Sequence, residues 1–357
     1  MSSRADRLVE LLPEAGIDLV LVTELVNVRY LTGYTGTNGL ALVGPHTRRF
    51  VTDFRYVEQA AEEVDSAFER VRAPQDLLES VADLLPPGEI RLGFEDATLP
   101  VRRHARLREL LPGRIELVGA AGLVERLRAV KEPGEIERIR AASAIADEAF
   151  ERLLADGLIG RTEREVALSL EVTMRELGAQ RPSFETIIAA GPHGALPHAQ
   201  PRDVAIEAGQ LVVIDWGASL DGYCSDCTRT VATGELGDQG REVYALVRAA
   251  QLAGVEAVRA GSAGRDIDGV ARGVIERGGH GERFGHGLGH GVGMEVHEAP
   301  RLSQRSEDRL QVGNVVTVEP GIYLPGALGV RIEDLVVVTE RGCEILTSVP
   351  KELRTVD

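Results

Sequence analysis

Apolar positions along the first third of the chain switch between two rhythms. Leu8, Leu11 and Leu12 lie on one face of an opening helix. Short Val- and Leu-rich runs follow: DLVLVT, GLALVG and RRFVTD, then a helical FRYVEQAAEEV and further short pairs ending in RIELVG. That succession predicts an α/β domain. A helical run, GLVERLRAVKE, then meets Pro133, after which GEIERIRAASAIADEAFERLLADG starts a long helix. The joint falls between residues 125 and 133, which divides the 357 residues into a domain 1–128 and a domain 129–357.

Beyond the joint the order runs helices then strands, twice. Helical pairs at 134–178 and 238–278 each precede strand-rich runs, ETIIAAG and LVVIDWGA after the first, NVVTVEPGIY and GVRIEDLVVVT after the second. This order points to an internal duplication, although no residue-level repeat accompanies it.

The strand-rich runs break their own pattern in one respect: they carry acids. In LVVIDWGASLDGYCSDCTRTV a turn at Asp221-Gly222 makes a hairpin, and an even-numbered loop puts Asp215 and Asp226 on the same face. In NVVTVEPGIYLPGALGVRIEDLVVV, Glu319 and Glu333 are expected in mid-strand, opposite each other across a Pro-Gly turn around Gly326. A bare carboxylate among apolar side chains is expensive, and a cation explains all four.

Composition excludes several classes. A formal net charge of -16 argues against a polyanionic partner, so nucleic acid is not expected. No apolar run is long enough to span a bilayer and the opening lacks a secretory core, so no membrane partner is expected and the default location is cytoplasmic. The only lysines, Lys131 and Lys351, lack the glycine that precedes the lysine of a phosphate-binding loop, which excludes that route to nucleotide hydrolysis. Three cysteines make no disulfide framework, and an offset of three on a strand sends Cys224 and Cys227 to opposite faces.

Six of the eight histidines lie between 193 and 297. Three of them stand in FGHGLGHGVGMEVHEAP, where a zinc helix is ruled out, because each threaded glycine costs roughly 1 kcal/mol in a helix. His46, His104 and His280 are read as ordinary side chains. Four carboxylates with one imidazole make an oxygen-rich site suited to two divalent cations, and the chemistry this implies is metal-assisted hydrolysis.

These residues resemble the metallopeptidases of the pita-bread fold, which include methionine aminopeptidase, aminopeptidase P and prolidase. The resemblance covers nearly the whole chain and rests on IDWGASLDGYCSDCTRT, GHGVGMEVHE, VEPGIY and GVRIED, in the family's order and spacing. It implies an α/β (α+β) architecture, a creatinase-like N-terminal domain followed by a pita-bread catalytic domain. Carried over by position, Asp215 chelates one metal, His290 and Glu319 bind the other, and Asp226 and Glu333 bridge them. Glu319 also resembles the residue that shuttles the proton, His297 the one that reaches the substrate's carbonyl or amide, and His198 the substrate-contacting histidine of the proline-specific branch. His286 has no ligand role in the family. Arg301 stands where prolidases have an arginine suited to the free carboxylate of a dipeptide. His193 departs from the asparagine that relatives commonly carry. The implied activity is cleavage before proline, in Xaa-Pro dipeptides first and in longer peptides, as in aminopeptidase P, as the alternative. A non-catalytic scaffold of the same fold is the third reading. The implied cofactors are two Mn²⁺ or Co²⁺ ions, with Zn²⁺ and Fe²⁺ compatible, and the implied assembly is a homodimer.

Overall fold

The computed structural model describes residues 3–357 and resolves into two compact units, one ending at Arg128 and one running Ala129–Asp357. The first unit is built on a six-stranded mixed sheet whose spatial order is 69–72, 47–52, 40–44, 19–22, 90–94 and 115–119. Its central strand Leu19–Val22 is buried throughout, which is why DLVLVT reads as a continuous apolar run instead of an alternating one. His46 sits exposed in the two-residue turn between Gly44 and Thr47, and the His104 ring lies 4.9 Å from that of Phe94.

In the second unit, Pro133 is the first residue of the helix Pro133–Ala155, where its missing N–H costs nothing, and Glu132 with Glu135 closes a reciprocal cap. That helix pairs with Glu163–Glu176, and Asp238–Ala257 pairs with Gly264–Arg277. Each helix pair is followed by a sheet. One has four strands in the order 355–356, 227–233, 210–216, 187–190; the other has five, in the order 298–302, 289–291, 315–318, 334–338, 343–345. Trp216 ties the first helix to the first sheet: its ring stacks on Phe150 with centroids 4.3 Å apart and its indole N–H donates to Ala146 O.

The second hairpin differs from its sequence reading. Glu319 and Glu333 are not in mid-strand; they lie in gaps, between Val315–Val318 and Gly321–Leu324 on one side and between Leu328–Arg331 and Asp334–Val338 on the other. Pro320 explains the first gap, since it has no N–H to give to a ladder. Pairing resumes in unchanged register on both sides of the interruption, with Val318 opposite Asp334 and Gly321 opposite Arg331, so the two glutamates still fall opposite each other. The freed N–H groups bond elsewhere, Glu319 N to Leu288 O and Glu333 N to Thr228 O.

Candidate metal centre

The first acid pair is set by antiparallel register. Thr228 lies opposite Asp215, and Asp226, two residues before Thr228, therefore projects to the same side. The turn that permits this has both Asp221 and Gly222 in the left-handed region, φ 50° and 83°. The second pair arrives through the gaps described above. One oxygen each from Asp215, Asp226 and Glu333 lies within 4.8 Å of the others, and all three side chains are buried. His290 joins them: its Nε2 is 3.3 Å from Glu319 Oε1 and 3.7 Å from Asp226 Oδ2.

This donor set fits a pair of divalent cations. Burial first, and then the neighbouring carboxylates, push Asp226 and Glu333 well above the ordinary carboxylate range, so the protein's own charges do not neutralise them. Burial would raise Glu319 too, but the His290 ring beside it, then His286 and Arg331, override it and hold Glu319 down at about 2. Asp215 Oδ1 is buried without a hydrogen-bond partner among the described residues. His290 Nδ1 lies 3.0 Å from Gly291 O and donates to it, which turns Nε2 toward the acids as a metal-ligating nitrogen requires.

A layer of polar side chains holds the acids from behind, and sequence reasoning missed most of it. Arg331, itself buried, donates to Asp215 Oδ2 at 2.6 Å, to Thr228 Oγ1 at 3.0 Å and to the Tyr323 hydroxyl at 2.9 Å. Tyr323 in turn lies 3.0 Å from His286 Nε2, while His286 Nδ1 donates to Gly287 O. His286 thus supports the ligands at two removes and ligates nothing. Thr228 Oγ1 donates to Glu333 Oε2 at 2.6 Å and Thr317 Oγ1 to Glu319 Oε1 at 3.0 Å. The available signal was an arginine two positions before an acid inside the apolar GVRIED, a buried cation waiting for a partner.

The glycines around His290 are there for close approach, not for unusual dihedrals. A Cβ on Gly289 would stand 2.0 Å from Thr317 O and one on Gly291 2.1 Å from Ala299 O, because the strand Gly289–Gly291 is gripped between 298–302 and 315–318.

The acids form the floor of a cleft of about 670 Å³. His198, His297 and Arg301 line it, as the sequence reading required of substrate-contacting groups. The His297 ring crosses that of His290 edge-on at 4.4 Å, and burial, then His290 and Arg301, keep His297 below the usual imidazole range. His193 is not in the cleft wall. It is buried, with Nδ1 2.9 Å from both oxygens of Glu163, a carboxylate that also receives Arg202. Cys224 and Cys227 are free and buried, their thiols pushed up by burial, Cys224 to about 11, and they share no site: Cys224 Sγ donates to Met294 O and Cys227 Sγ to Glu333 O.

Comparison with known proteins agrees with this geometry. Residues 137–340 match Metallopeptidase family M24, and residues 4–130 match the Creatinase/Prolidase N-terminal domain. The chain is 39% identical to the Xaa-Pro dipeptidase of Pyrococcus furiosus over 99% of its own length and all of that protein's. Among solved structures it resembles the Xaa-Pro dipeptidase from Bacillus anthracis (43% identity, TM-score 0.95, 99% of both chains). It also resembles the X-Pro aminopeptidase from Thermotoga maritima MSB8 (38% identity, TM-score 0.90, 99% of this chain and 100% of that one).

Proposed function

We propose, from the premise that this chain belongs to metallopeptidase family M24, that it hydrolyses the peptide bond preceding proline, with Xaa-Pro dipeptides as its preferred substrates. The observation that carries the reading is the convergence of Asp215, Asp226, His290, Glu319 and Glu333 on the floor of a cleft walled by His198, His297 and Arg301. Residues 1–128 are the creatinase/prolidase-type domain and 129–357 the catalytic domain in this reading.

Asp215, Asp226, His290, Glu319 and Glu333 would together hold the two divalent cations. Two such ions, when bound, would supply an activated water at neutral pH and a Lewis acid for the scissile carbonyl. Everything else falls to side chains. Glu319 takes the proton of the attacking water and passes it to the proline nitrogen as the C–N bond breaks; Thr317 occupies Oε1, which leaves Oε2 for that proton. His297 donates to the carbonyl oxygen as negative charge gathers there, and His198, also in the cleft lining, contacts the substrate backbone. Arg301, exposed at the cleft, receives the C-terminal carboxylate of a dipeptide in a two-pronged bond. Mn²⁺ or Co²⁺ suits the oxygen-rich set best, and Zn²⁺ or Fe²⁺ is accommodated by the same ligands.

The test is a panel of Ala-Pro, Ala-Pro-Ala and Ala-Ala with Mn²⁺ and with chelator. Cleavage of Ala-Pro that chelation abolishes, with the tripeptide turned over poorly, is the expected result; intact Ala-Pro under metal loading sinks the proposal. Preference for Ala-Pro-Ala would instead establish the longer-peptide activity that the Thermotoga relative's name carries. The three free cysteines favour a reducing, cytoplasmic setting. A homodimer is the assembly we assign, and light scattering in solution checks it.

A further inference from the structure

We propose that Glu163 is a positioning residue that sets His198 in the cleft, by closing residues 190–202 into a clasp on a single buried carboxylate. The proposal rests on the reading of the cleft given above and names a determinant of substrate binding within it.

Glu163 is the first residue of the helix Glu163–Glu176, capped by Thr162, and is 1% exposed. Its carboxylate is surrounded by donors from two separate places in the chain. Ala190 N (3.0 Å) and His193 Nδ1 (2.9 Å) reach it from the entry to the loop. Arg202 reaches it from the exit with its backbone N (3.0 Å), Nε (3.1 Å) and Nη2 (3.1 Å). The backbone on the helix side reinforces the exit, with Glu163 N donating to Val204 O and Arg164 N to Arg202 O.

Between these anchors the chain crosses the cleft wall, exposing Leu196 and His198. Its middle is tethered by Arg331, which donates to Pro197 O at 3.1 Å. His198 is thus held by position, through neighbours on both sides, and not by a bond to Glu163. A buried carboxylate of this kind would be costly as a mere helix cap, because a cap needs only the helix's own N–H groups. Here every side-chain donor comes from the loop. His193, unexplained by the sequence, is one of these donors, and an asparagine amide could serve the same carboxylate with one N–H.

The experiment uses the full-length, Mn²⁺-loaded protein and Arg202→Met, whose side chain is 47% exposed and whose loss spares the core. The expected result is a rise of about tenfold in KM for Ala-Pro with kcat within about threefold, because the substrate must now order a loop that was already fixed. Bound metal is expected to stay at the parent stoichiometry, and amide hydrogen exchange to speed up within 191–201 alone. His193→Leu should behave the same way, while His193→Asn should stay within about twofold of the parent because it keeps a donor toward Glu163. Unchanged KM and unchanged exchange in 191–201 overturn the proposal. So does loss of metal with faster exchange across the whole catalytic unit, which would make the cluster a general brace. If the parent protein leaves Ala-Pro intact, the function assigned above falls, and the exchange measurement still decides the clasp by itself.

Discussion

At the scale of single residues, the candidate metal centre was legible because its acids violate the hydrophobic pattern around them. Asp215 sits in a buried strand between Ile214 and Trp216, a placement that demands a compensating positive charge, of which Arg331 supplies part. His290 could be told from its neighbours only through the family resemblance, since nothing in the glycine run itself distinguishes it from His286. The groups that hold the ligands were not legible. Arg331 meets Asp215 from 116 positions away, a distance over which local pattern carries no information. Two predictions belong here. Asp226→Asn and His290→Ala each should lower kcat/KM for Ala-Pro roughly 1,000-fold or more, with bound metal falling below the parent stoichiometry in a direct metal assay. Activity at parental levels would remove either residue from the centre. Arg331→Met should cost the metal-free protein about 3 kcal/mol in urea unfolding, because it strands Asp215 without its buried partner. Arg331→Lys should recover only part of this, since one ammonium cannot serve Asp215, Thr228, Tyr323 and the Pro197 carbonyl from one place.

At the scale of elements, the helices and most strands followed from periodicity, while the breaks between strands did not. The two glutamates were expected inside strands because a two-residue gap leaves the apolar alternation and the register intact, and only Pro320 marks it in sequence. The gap matters for function: it frees the Glu319 and Glu333 amides to bond to Leu288 O and Thr228 O, which draws three segments together around the acids. The strand Gly289–Gly291 shows the same dependence on backbone spacing. Gly289→Ala would place a methyl 2.0 Å from Thr317 O, backbone that cannot swing aside, and we expect a loss of about 2 kcal/mol or more. Thr317 also donates to Glu319 and accepts from His290 N, so metal affinity measured by calorimetry should fall together with the melting temperature. A substituted protein with parental metal affinity would show that the strand can spread without moving the ligands.

At the scale of the whole molecule, the concentration of buried acid makes the stabilisation that metal confers depend on pH. In the metal-free protein, burial and mutual repulsion raise Asp226 and Glu333, so the folded chain keeps these two protons to a higher pH than the unfolded chain does. Through these two acids folding takes up protons, which stabilises the metal-free fold as pH falls toward the ordinary carboxylate range of about 4, while His286 and His297, lowered by burial, act in the opposite sense through the imidazole range. In the metal-loaded protein, protons compete with cations for the same oxygens and binding stabilises only while affinity lasts. Among the other proposed ligands, burial raises Asp215 in the same sense, while Glu319, held at about 2, titrates below this range; Asp147, raised by burial, and Asp334, lowered against burial by Arg229 and Lys351, are not ligands and enter both forms. The gap in melting temperature between Mn²⁺-loaded and chelated protein should therefore be widest near pH 8 and close on approach to about pH 5. Thermal unfolding across that range with and without chelator measures it. A gap that stays constant with pH would mean that the ions are held by groups other than these carboxylates, whatever activity the loaded protein shows.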